Sequence, residues 1–339
     1  HENESQDSSG GESASMEHES AEDGAQISQD CAEILAVDPQ AGSGVHQVRA
    51  PLGVEVEAWC DFDSPGAVWT RQLDPVRRSG TSIGGLLEAV IADPDVRVDA
   101  QGTWHIYYQG SRAPVLSAGL EEMMVVHGTS PNGVSWEIDE TPALTSPEDP
   151  SAWDFETSET PSVVFDPTAE PGFEYKMYYS GAAVEHPLGF SWYQLGLATS
   201  SDGLHFTRLD PSISPYGEAG ALLRAEDALS DVPLVTDGLL ADPDVVIDDD
   251  GRYHLFFSSF GHDDELAPLS WGIHHVVSDD GIHFDAGPQG WAPVEELSGQ
   301  QPSLAYNSKS GLWEMIYTSD TEEELEAMPS VFNPSMGVV

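Results

Sequence analysis

A short element built around proline recurs four times along this chain and constrains its fold more than any other feature. In each copy a polar residue precedes the proline and an apolar strand follows it. The copies are Asp93–Val96, Thr160–Val163, Asp242–Val245 and Gln301–Leu304. Their prolines stand 67, 82 and 59 residues apart. Self-similarity on this scale indicates a repeat architecture, in which every copy forms the same small unit.

Two further elements follow each proline element in a fixed order. The first is an aromatic strand, found at residues 103–108, 175–179, 253–257 and 312–317. The second is a tight turn containing Asn-Gly or Asp-Gly, found at residues 130–136, 200–206 and 278–284. These dipeptides supply the positive φ angles that hairpin turns require. Each unit therefore holds about four short strands, the content of one propeller blade. We expect an all-β, five-bladed β-propeller with four blades visible as repeats.

The last repeat lacks its closing turn, and a similar segment stands near the other end of the chain. Ser64–Arg71 parallels Ser201–Arg208, with an aromatic residue and Thr-Arg at matching positions. One interpretation is that this N-terminal strand completes the C-terminal blade and removes two exposed sheet edges. The other is chance similarity. A fifth, irregular blade is expected within residues 31–63 or in an unrecognised insertion.

The first 30 residues differ in composition from the rest of the chain. They are rich in Ser, Glu and Gly, and the first aromatic residue is Trp59. Such a segment buries too little apolar surface to offset its ordering entropy. We therefore predict a disordered linker over residues 1–30 and a propeller domain over residues 31–339. Because the chain starts at His1, we expect an exported protein, secreted or tethered at the cell surface by a lipid anchor.

The two cysteines, Cys31 and Cys60, fit that expectation in one of two ways. In an exported chain they form a disulfide that pins the N-terminal segment to the domain. The alternative is two unpaired thiols.

The net charge of −49 excludes several classes of partner. With 60 acidic residues against 11 basic ones, the chain repels nucleic acid, anionic membranes and polyanionic substrates. A neutral carbohydrate is therefore the expected substrate class, without membrane contact by the domain itself, and we expect a monomer. High salt would screen the self-repulsion, so the charge fits either a saline habitat or a merely soluble surface.

The aromatic strands carry a family resemblance. Trp104–Gln109, Tyr253–Phe257 and the run from Tyr175 through Ser200 are similar to strands of the five-bladed propeller glycoside hydrolases. That group includes the β-fructosidase and arabinanase/xylosidase families, and the resemblance covers about residues 60–339. The chain is identified as a divergent relative of these sugar-cleaving enzymes.

The resemblance implies three catalytic carboxyl groups: Asp93, Glu159 and Asp242. Glu159 would be the general acid, Asp93 the base or nucleophile, and Asp242 an orienting residue or pKa modulator. Glycosidic cleavage needs one protonated and one ionised carboxyl group, and a third nearby charge raises the pKa of the acid. The relatives run Asp, Asp, Glu along the chain, whereas this chain runs Asp, Glu, Asp. The site is thus either permuted or degenerate, and Asp before Pro is also ordinary turn chemistry.

Three further residues are predicted to bind substrate: Trp153, Trp271 and Gln301. Loop aromatics stack on sugar rings, although propellers also bury many aromatics between blades. We expect no cofactor and assign no metal ligand. The acidic segment Asp248–Gly251 has two interpretations. It could bind a structural Ca²⁺, or, more simply, it forms a charged hairpin turn.

Two functions follow from these patterns. The first is a glycoside hydrolase that acts on a neutral oligo- or polysaccharide through paired carboxyl groups. The alternative is a non-catalytic surface propeller that binds glycan or protein. Convergence of Asp93, Glu159 and Asp242 on one pocket would favour the enzyme, and scattered carboxyl groups would favour the binder.

Overall fold

The computed structural model describes most of the repeat-bearing part of the chain. The described residues are 31–42, 44–49, 55–60, 70–72, 82–83, 86–87, 90–111, 123–183, 192–233, 235, 237–263, 265, 268–286, 293–294, 299–307, 312–319 and 336–338. The predicted linker, residues 1–30, lies outside them. The chain divides into two compact units, residues 1–73 and residues 74–339.

The first unit contains one helix and one sheet. Helix α1 spans Cys31–Val37, and the antiparallel sheet has the order β1 (Gly44–Arg49), β2 (Glu55–Cys60) and β3 (Thr70–Gln72). Cys60 is buried on β2 and is disulfide-bonded, and Cys31 is the only other cysteine of the chain. The pairing of the two cysteines agrees with the disulfide prediction.

The second unit is built from β-strands, with one short helix, α2 (Ala225–Ala228). Its strands are β4 (Ser82–Ile83), β5 (Leu86–Leu87), β6 (Ile91–Val98), β7 (Trp104–Ser111), β8 (Met123–Ser130), β9 (Glu137–Ile138), β10 (Thr157–Phe165), β11 (Tyr175–Ala182), β12 (Gln194–Ser200), β13 (Thr207–Arg208), β14 (Ala221–Leu223), β15 (Asp237–Ile247), β16 (Tyr253–His262), β17 (Pro268–Ser278), β18 (Asp285–Ala286), β19 (Gly299–Asn307), β20 (Leu312–Ser319) and β21 (Met336–Val338). None of the helices in the described part of the chain has the length and apolar character needed to cross a membrane.

The strands of the second unit form successive antiparallel sheets that follow the sequence repeats. Strands β6 to β9 form one sheet, β10 to β13 the next with β14 added on β12, β15 to β18 a third, and β19 to β21 a fourth. Strands β4 and β5 form a separate two-stranded sheet. Every predicted proline element lies on the first strand of its sheet, and every predicted aromatic segment lies on the second. The four-strand content of a repeat is confirmed in three sheets.

The tight turns after the third strands share one hydrogen-bonding pattern. In the second sheet of this series, the Ser200 hydroxyl accepts the backbone N–H of Gly203, and Asp202 accepts those of Leu204 and His205. The same pattern recurs at Ser130 and at Ser278. Gly133, Gly203 and Gly281 all have φ near +72°, which explains why glycine is required there.

Successive sheets pack face to face through their apolar side chains. Tyr107 and Val125 meet Met177 and Tyr179 between the first two sheets of the series. Similar apolar clusters join the second sheet to the third and the third to the fourth. The first strands β6, β10, β15 and β19 contact one another in that order. This stacking, with the first strands innermost, is consistent with a propeller.

The predicted closure by an N-terminal strand is wrong for the residues that the structure describes. Thr70 and Arg71 lie on β3 and pair with Cys60 and Trp59 of β2, not with the C-terminal sheet. The third strand of that sheet is supplied by Met336–Val338. The Thr-Arg motif did indicate an outer strand, as it does at β13. Its partner is the nearest preceding strand, since the shorter connection costs less closure entropy.

Candidate functional site

A backbone bulge at each proline turns polar side chains toward the middle of the second unit. The ladder between first and second strands shifts register at all four prolines, because proline cannot donate a ladder hydrogen bond. The residue before each proline takes a positive φ, at Asp93 (47°), Thr160 (49°), Asp242 (52°) and Gln301 (56°). Such left-handed conformations in residues other than glycine are strained and concentrate at functional sites.

The four bulges together line one cavity of about 150 Å³. Each contributes three consecutive residues, centred on its proline. The lining is Asp93–Asp95, Thr160–Ser162, Asp242–Asp244 and Gln301–Ser303. Since the four first strands lie side by side, β10 stands between the strands that carry Asp93 and Asp242. The repeats therefore bring together carboxyl groups that are about 150 positions apart in sequence.

Glu159 is the most deeply buried of the three predicted carboxyl residues, at 3% exposure. It precedes Thr160 on β10, and its Oε2 accepts a hydrogen bond from Nε2 of Gln109 on β7. Tyr193 also hydrogen-bonds to this carboxyl group. Burial, and then the charges of Asp93 and Asp242, raise the pKa of Glu159 to about 7. The carboxyl group is thus partly protonated near neutral pH.

The other two carboxyl groups are more open to solvent and lie close enough to affect each other. Burial and the charge of Asp93 raise the pKa of Asp242 to about 6, and a hydrogen bond from Ser258 opposes the shift. Burial also raises the pKa of Asp93. Asp93 and Asp242 line one cavity, and Glu159 stands next to the lining residue Thr160 without being among the lining residues itself. The convergence of the three carboxyl groups on one pocket and their catalytic roles stay predictions.

A second polar layer lies one residue beyond the prolines. The Arg97 guanidinium contacts Asp95 (Nε–Oδ1 3.1 Å) and Asp244 (Nη2–Oδ1 3.3 Å). The same carboxyl groups accept backbone N–H bonds from the neighbouring first strands, at Val163 and Leu304. Burial nevertheless raises the pKa of Asp244 to about 6. This layer ties adjacent first strands together, and Asp95 and Asp244 line both the candidate site and a second, more apolar cavity.

A buried ion pair holds the start of the strand that carries Glu159. Arg208 donates from Nε to Asp154 Oδ2 (2.7 Å) and from Nη2 to Ser158 Oγ (2.8 Å). The Tyr179 hydroxyl donates to the same oxygen of Asp154 at 2.7 Å. Because Ser158 precedes Glu159, these bonds restrict the backbone from which the buried carboxyl group projects.

The three predicted substrate-binding residues lie in different surroundings. Trp153 is partly buried, stacks on Tyr179 (ring centroids 5.9 Å apart) and donates its indole N–H to Ala219 O. Gln301 lines the cavity, and its amide oxygen accepts a hydrogen bond from Thr318. Trp271 lies on β17 opposite Phe260, and its side chain lies outside the described part of the chain. Contact with a sugar stays a prediction for all three.

The suggested calcium segment forms a hydrogen-bonded turn. Asp248 Oδ1 accepts the backbone N–H groups of Asp250 and Arg252, and its Oδ2 pairs with His254 at 3.0 Å. Among the described residues, no group of three or more His, Cys, Asp or Glu side chains is arranged to hold a metal ion. A structural calcium therefore stays an untested prediction.

Two residues that shape the site, Gln109 and Arg97, were given no role from the sequence. Gln109 and Tyr193 contact Glu159 directly, and Arg97 links the carboxyl groups of the second layer. The only available signal was that Gln109 stands where the matching strands carry Ser180 and Ser258.

The chain is similar to a known family over part of its length. Residues 235–331 match the model of the glycosyl hydrolases family 32 N-terminal domain. This segment contains Asp242 and Gln301 but neither Asp93 nor Glu159. The resemblance to propeller glycoside hydrolases is thereby confirmed for the C-terminal part of the repeats. No curated protein matches the chain.

Several solved structures resemble this one at low sequence identity. One described as a glycoside hydrolase is 14% identical, with 84% of this chain and 77% of that chain covered and a TM-score of 0.49. A family 117 glycoside hydrolase from the marine bacterium Zobellia galactanivorans is 15% identical, with 68% and 64% covered and a TM-score of 0.48. An endo-1,4-β-xylanase from Bacteroides thetaiotaomicron is 15% identical, with 78% and 75% covered and a TM-score of 0.45. At these values the similarity does not extend to substrate or mechanism.

Proposed function

We propose that this protein is a glycoside hydrolase that acts on a neutral oligo- or polysaccharide by carboxyl acid/base catalysis. The observation that carries the proposal is that Asp93 and Asp242 line one cavity and that the buried carboxyl group of Glu159 lies close enough to be affected by both charges. Glu159 has its pKa raised by burial and by the charges of Asp93 and Asp242. Environments that separate the protonation of neighbouring carboxyl groups are what glycosidic cleavage requires.

Each carboxyl group has a role that its surroundings support. Glu159, with a pKa of about 7, is the general acid that donates a proton to the leaving glycosidic oxygen. Asp93, which faces the cavity, is the base or nucleophile. Asp242 helps to keep Glu159 protonated through its charge and orients the substrate. The backbone strain at Asp93 and Asp242 fixes both groups before substrate arrives.

The preference for a neutral carbohydrate follows from charge. Among the described residues that line the cavity, none is lysine or arginine, and four are aspartate. The whole chain carries a net charge of −49, which opposes the approach of sulfated or uronic acid polymers. Trp153, Trp271 and Gln301 are the proposed sugar-contacting residues. The proposed setting is an extracellular monomer, secreted or tethered to the cell surface.

The proposed ring has five blades, as the sequence predicts. Four sheets of the second unit carry the repeats, and their stacking supports a propeller. An experimental structure tests the number of blades and the closure of the ring.

A second candidate function is glycan or protein binding without catalysis. The observation that favours it is that Thr160 and Gln301, two of the four residues before proline, cannot titrate. With carboxyl groups at only two of these four positions, the cavity would bind a sugar through hydrogen bonds without cleaving it. In that case the raised pKa of Glu159 would serve binding of hydroxyl groups.

A hydrolysis screen with matched variants separates these functions. Wild type, Glu159→Gln and the exposed control Glu140→Gln are incubated with neutral polysaccharides and aryl glycosides, and reducing ends are counted. The enzyme proposal expects wild type and control to release sugar and Glu159→Gln to lose at least about 100-fold in kcat. Binding in calorimetry without sugar release by wild type would instead establish the binder.

A further inference from the structure

One position on the second strands links each sheet to the next. It is the ladder partner of the residue two places before proline, and it is occupied by Gln109, Ser180, Ser258 and Thr318. The two serines bond to the backbone of the following bulge. Ser180 Oγ accepts the N–H of Asp242 (3.1 Å), and Ser258 Oγ accepts that of Gln301 (2.8 Å). A small hydroxyl side chain at this position therefore holds the adjacent bulge in place.

Gln109 differs from the two serines in the size of its side chain and in its hydrogen-bond partner. Its longer side chain is buried, at 7% exposure, and its Nε2 donates to the Glu159 carboxyl group on the next sheet. Glu159 is also the exception at its own position, which elsewhere carries Ala92, Ala241 and Gln300. The two exceptional residues of the repeat thus contact each other, directly before Thr160 of the cavity lining.

We propose that Gln109 is a positioning residue that fixes the orientation of the Glu159 carboxyl group and places its transferable proton on Oε1. A primary amide nitrogen donates hydrogen bonds and cannot accept them. With this nitrogen at Oε2, that oxygen is an acceptor whether Glu159 is ionised or neutral. The proton of the neutral acid is therefore carried by the other oxygen. The catalytic meaning of this arrangement rests on the proposed glycosidase function, whereas the hydrogen bond and its effect on protonation do not.

The remaining groups around Glu159 act on its carboxyl group in other ways. The Tyr193 and Thr157 hydroxyl groups both donate and accept, so they accommodate either location of the proton. Asp93 and Asp242 act through their charges, which favour the neutral acid. Gln109 opposes them, because a donor to a carboxylate favours the ionised form. Gln109 accordingly keeps the acid able to release its proton.

Two substitutions of Gln109 test the proposal. Gln109→Met conserves volume and removes the donor, so the pKa of Glu159 should rise by about one unit. Gln109→Ser introduces the residue that occupies the matching position in the next two sheets, so it should fold with a melting temperature close to that of wild type. Gln101→Met, on an exposed turn, is the matched control.

The pKa is read from the carboxyl ¹³C shift of Glu159 in protein labelled at glutamate, with Glu159→Gln identifying the resonance. This readout needs no activity. If the wild type has no hydrolase activity, the proposed function is refuted, but the titration of Glu159 in the two variants still decides the role of Gln109. An unchanged pKa in Gln109→Met would overturn the proposal. A lowered pKa would overturn it too, because Gln109 would then be accepting the acid proton through its carbonyl group.

In an active enzyme, a second readout follows from the same chemistry. Activity that needs protonated Glu159 is lost as pH rises through its pKa. In Gln109→Met the alkaline limb of the pH profile of kcat should therefore shift to higher pH. We expect kcat to fall at least about 10-fold in both variants with little change in KM, since the acid is misplaced while the cavity is intact. If Gln109→Met does not fold, the split between kcat and KM in Gln109→Ser decides. Wild-type kcat in Gln109→Ser would contradict the proposal.

Discussion

Glu159 makes the stability of this protein depend on pH through a single buried side chain. Its pKa is about 7 in the folded protein and 4.5 in an ordinary peptide. A carboxyl group with a raised folded-state pKa stabilises the fold below its unfolded pKa. That contribution is lost as pH rises through the folded value. At alkaline pH the folded protein therefore contains a buried charge in an unfavourable place.

Replacing Glu159 with glutamine should stabilise the fold at alkaline pH. The difference in unfolding free energy between Glu159→Gln and wild type should grow by up to about 3 kcal/mol from below pH 4.5 to above pH 7. Denaturant titrations across this range measure it, with Glu140→Gln as the exposed control. A difference that is constant with pH would show that the carboxyl group is not buried as described.

His274 should produce the opposite pH dependence. This side chain is 1% exposed, stacks on Phe257, and neither ring nitrogen has a hydrogen-bond partner. Burial lowers its pKa to about 4 from 6.5, so stability is lost as pH falls between these values, by up to about 3 kcal/mol. His274→Leu should abolish this part of the acid sensitivity. The exposed His205→Leu is the control, and equal acid slopes in the two variants would contradict the prediction.

At the scale of elements, two of the three turns after third strands receive a tyrosine from the preceding sheet. The Tyr178 hydroxyl donates to Gly281 O at 2.8 Å, and the Tyr107 hydroxyl donates to Gly203 O at 2.7 Å. The glycine therefore meets two demands: a positive φ and close approach of an aromatic ring. These contacts make the turns part of the sheet-to-sheet packing, in addition to their role as connections.

Paired glycine substitutions separate those two demands. Gly281 and Gly251 have similar φ values, +74° and +82°, but only at Gly281 would a Cβ come within 2.8 Å of Tyr178 and Tyr253 atoms. Gly251→Ala should lower the unfolding free energy by about 1 kcal/mol through backbone strain alone. Gly281→Ala should cost at least twice as much, because buried tyrosines must move. Equal losses in thermal or denaturant unfolding would mean that the turn does not pack on the neighbouring sheet.

Most elements of the second unit were predictable because they repeat. The proline, aromatic and turn signals are local, and each appears several times, so β6, β7 and their counterparts were located from the sequence. The closure was not predictable, because Thr70–Arg71 indicates an outer strand without specifying its partner. The site was predictable to the extent that its carboxyl groups occupy repeated positions. Gln109 was missed because its role depends on a contact between different sheets.

At the scale of the whole molecule, charge is the dominant physical property. With a net charge of −49, the folded chain brings many like charges together, and this repulsion opposes compaction. Salt reduces it, because the screening length falls from about 10 Å at 0.1 M to about 3 Å at 1 M. The fold should accordingly depend on ionic strength more than a nearly neutral protein does.

Raising NaCl from about 0.1 M to about 1 M should increase the melting temperature by several degrees. Calorimetry or circular dichroism measures the shift, and sucrose of equal osmolality is the non-ionic control. A melting temperature that does not change with salt would indicate that the acidic residues are too far apart to repel one another. In that case the negative charge would contribute to solubility without affecting the stability of the fold.

The bulge shared by the four first strands has an evolutionary consequence. Duplication of a repeat copies the backbone that aims side chains at the cavity, whereas the side chains themselves change by single substitutions. The four copies already differ, with Asp93, Thr160, Asp242 and Gln301 on the same strained geometry. Single substitutions during evolution can therefore add, move or remove a reactive group while the backbone of the repeat stays the same. A repeated backbone therefore predicts the shape of the cavity, while its chemistry has to be established one residue at a time.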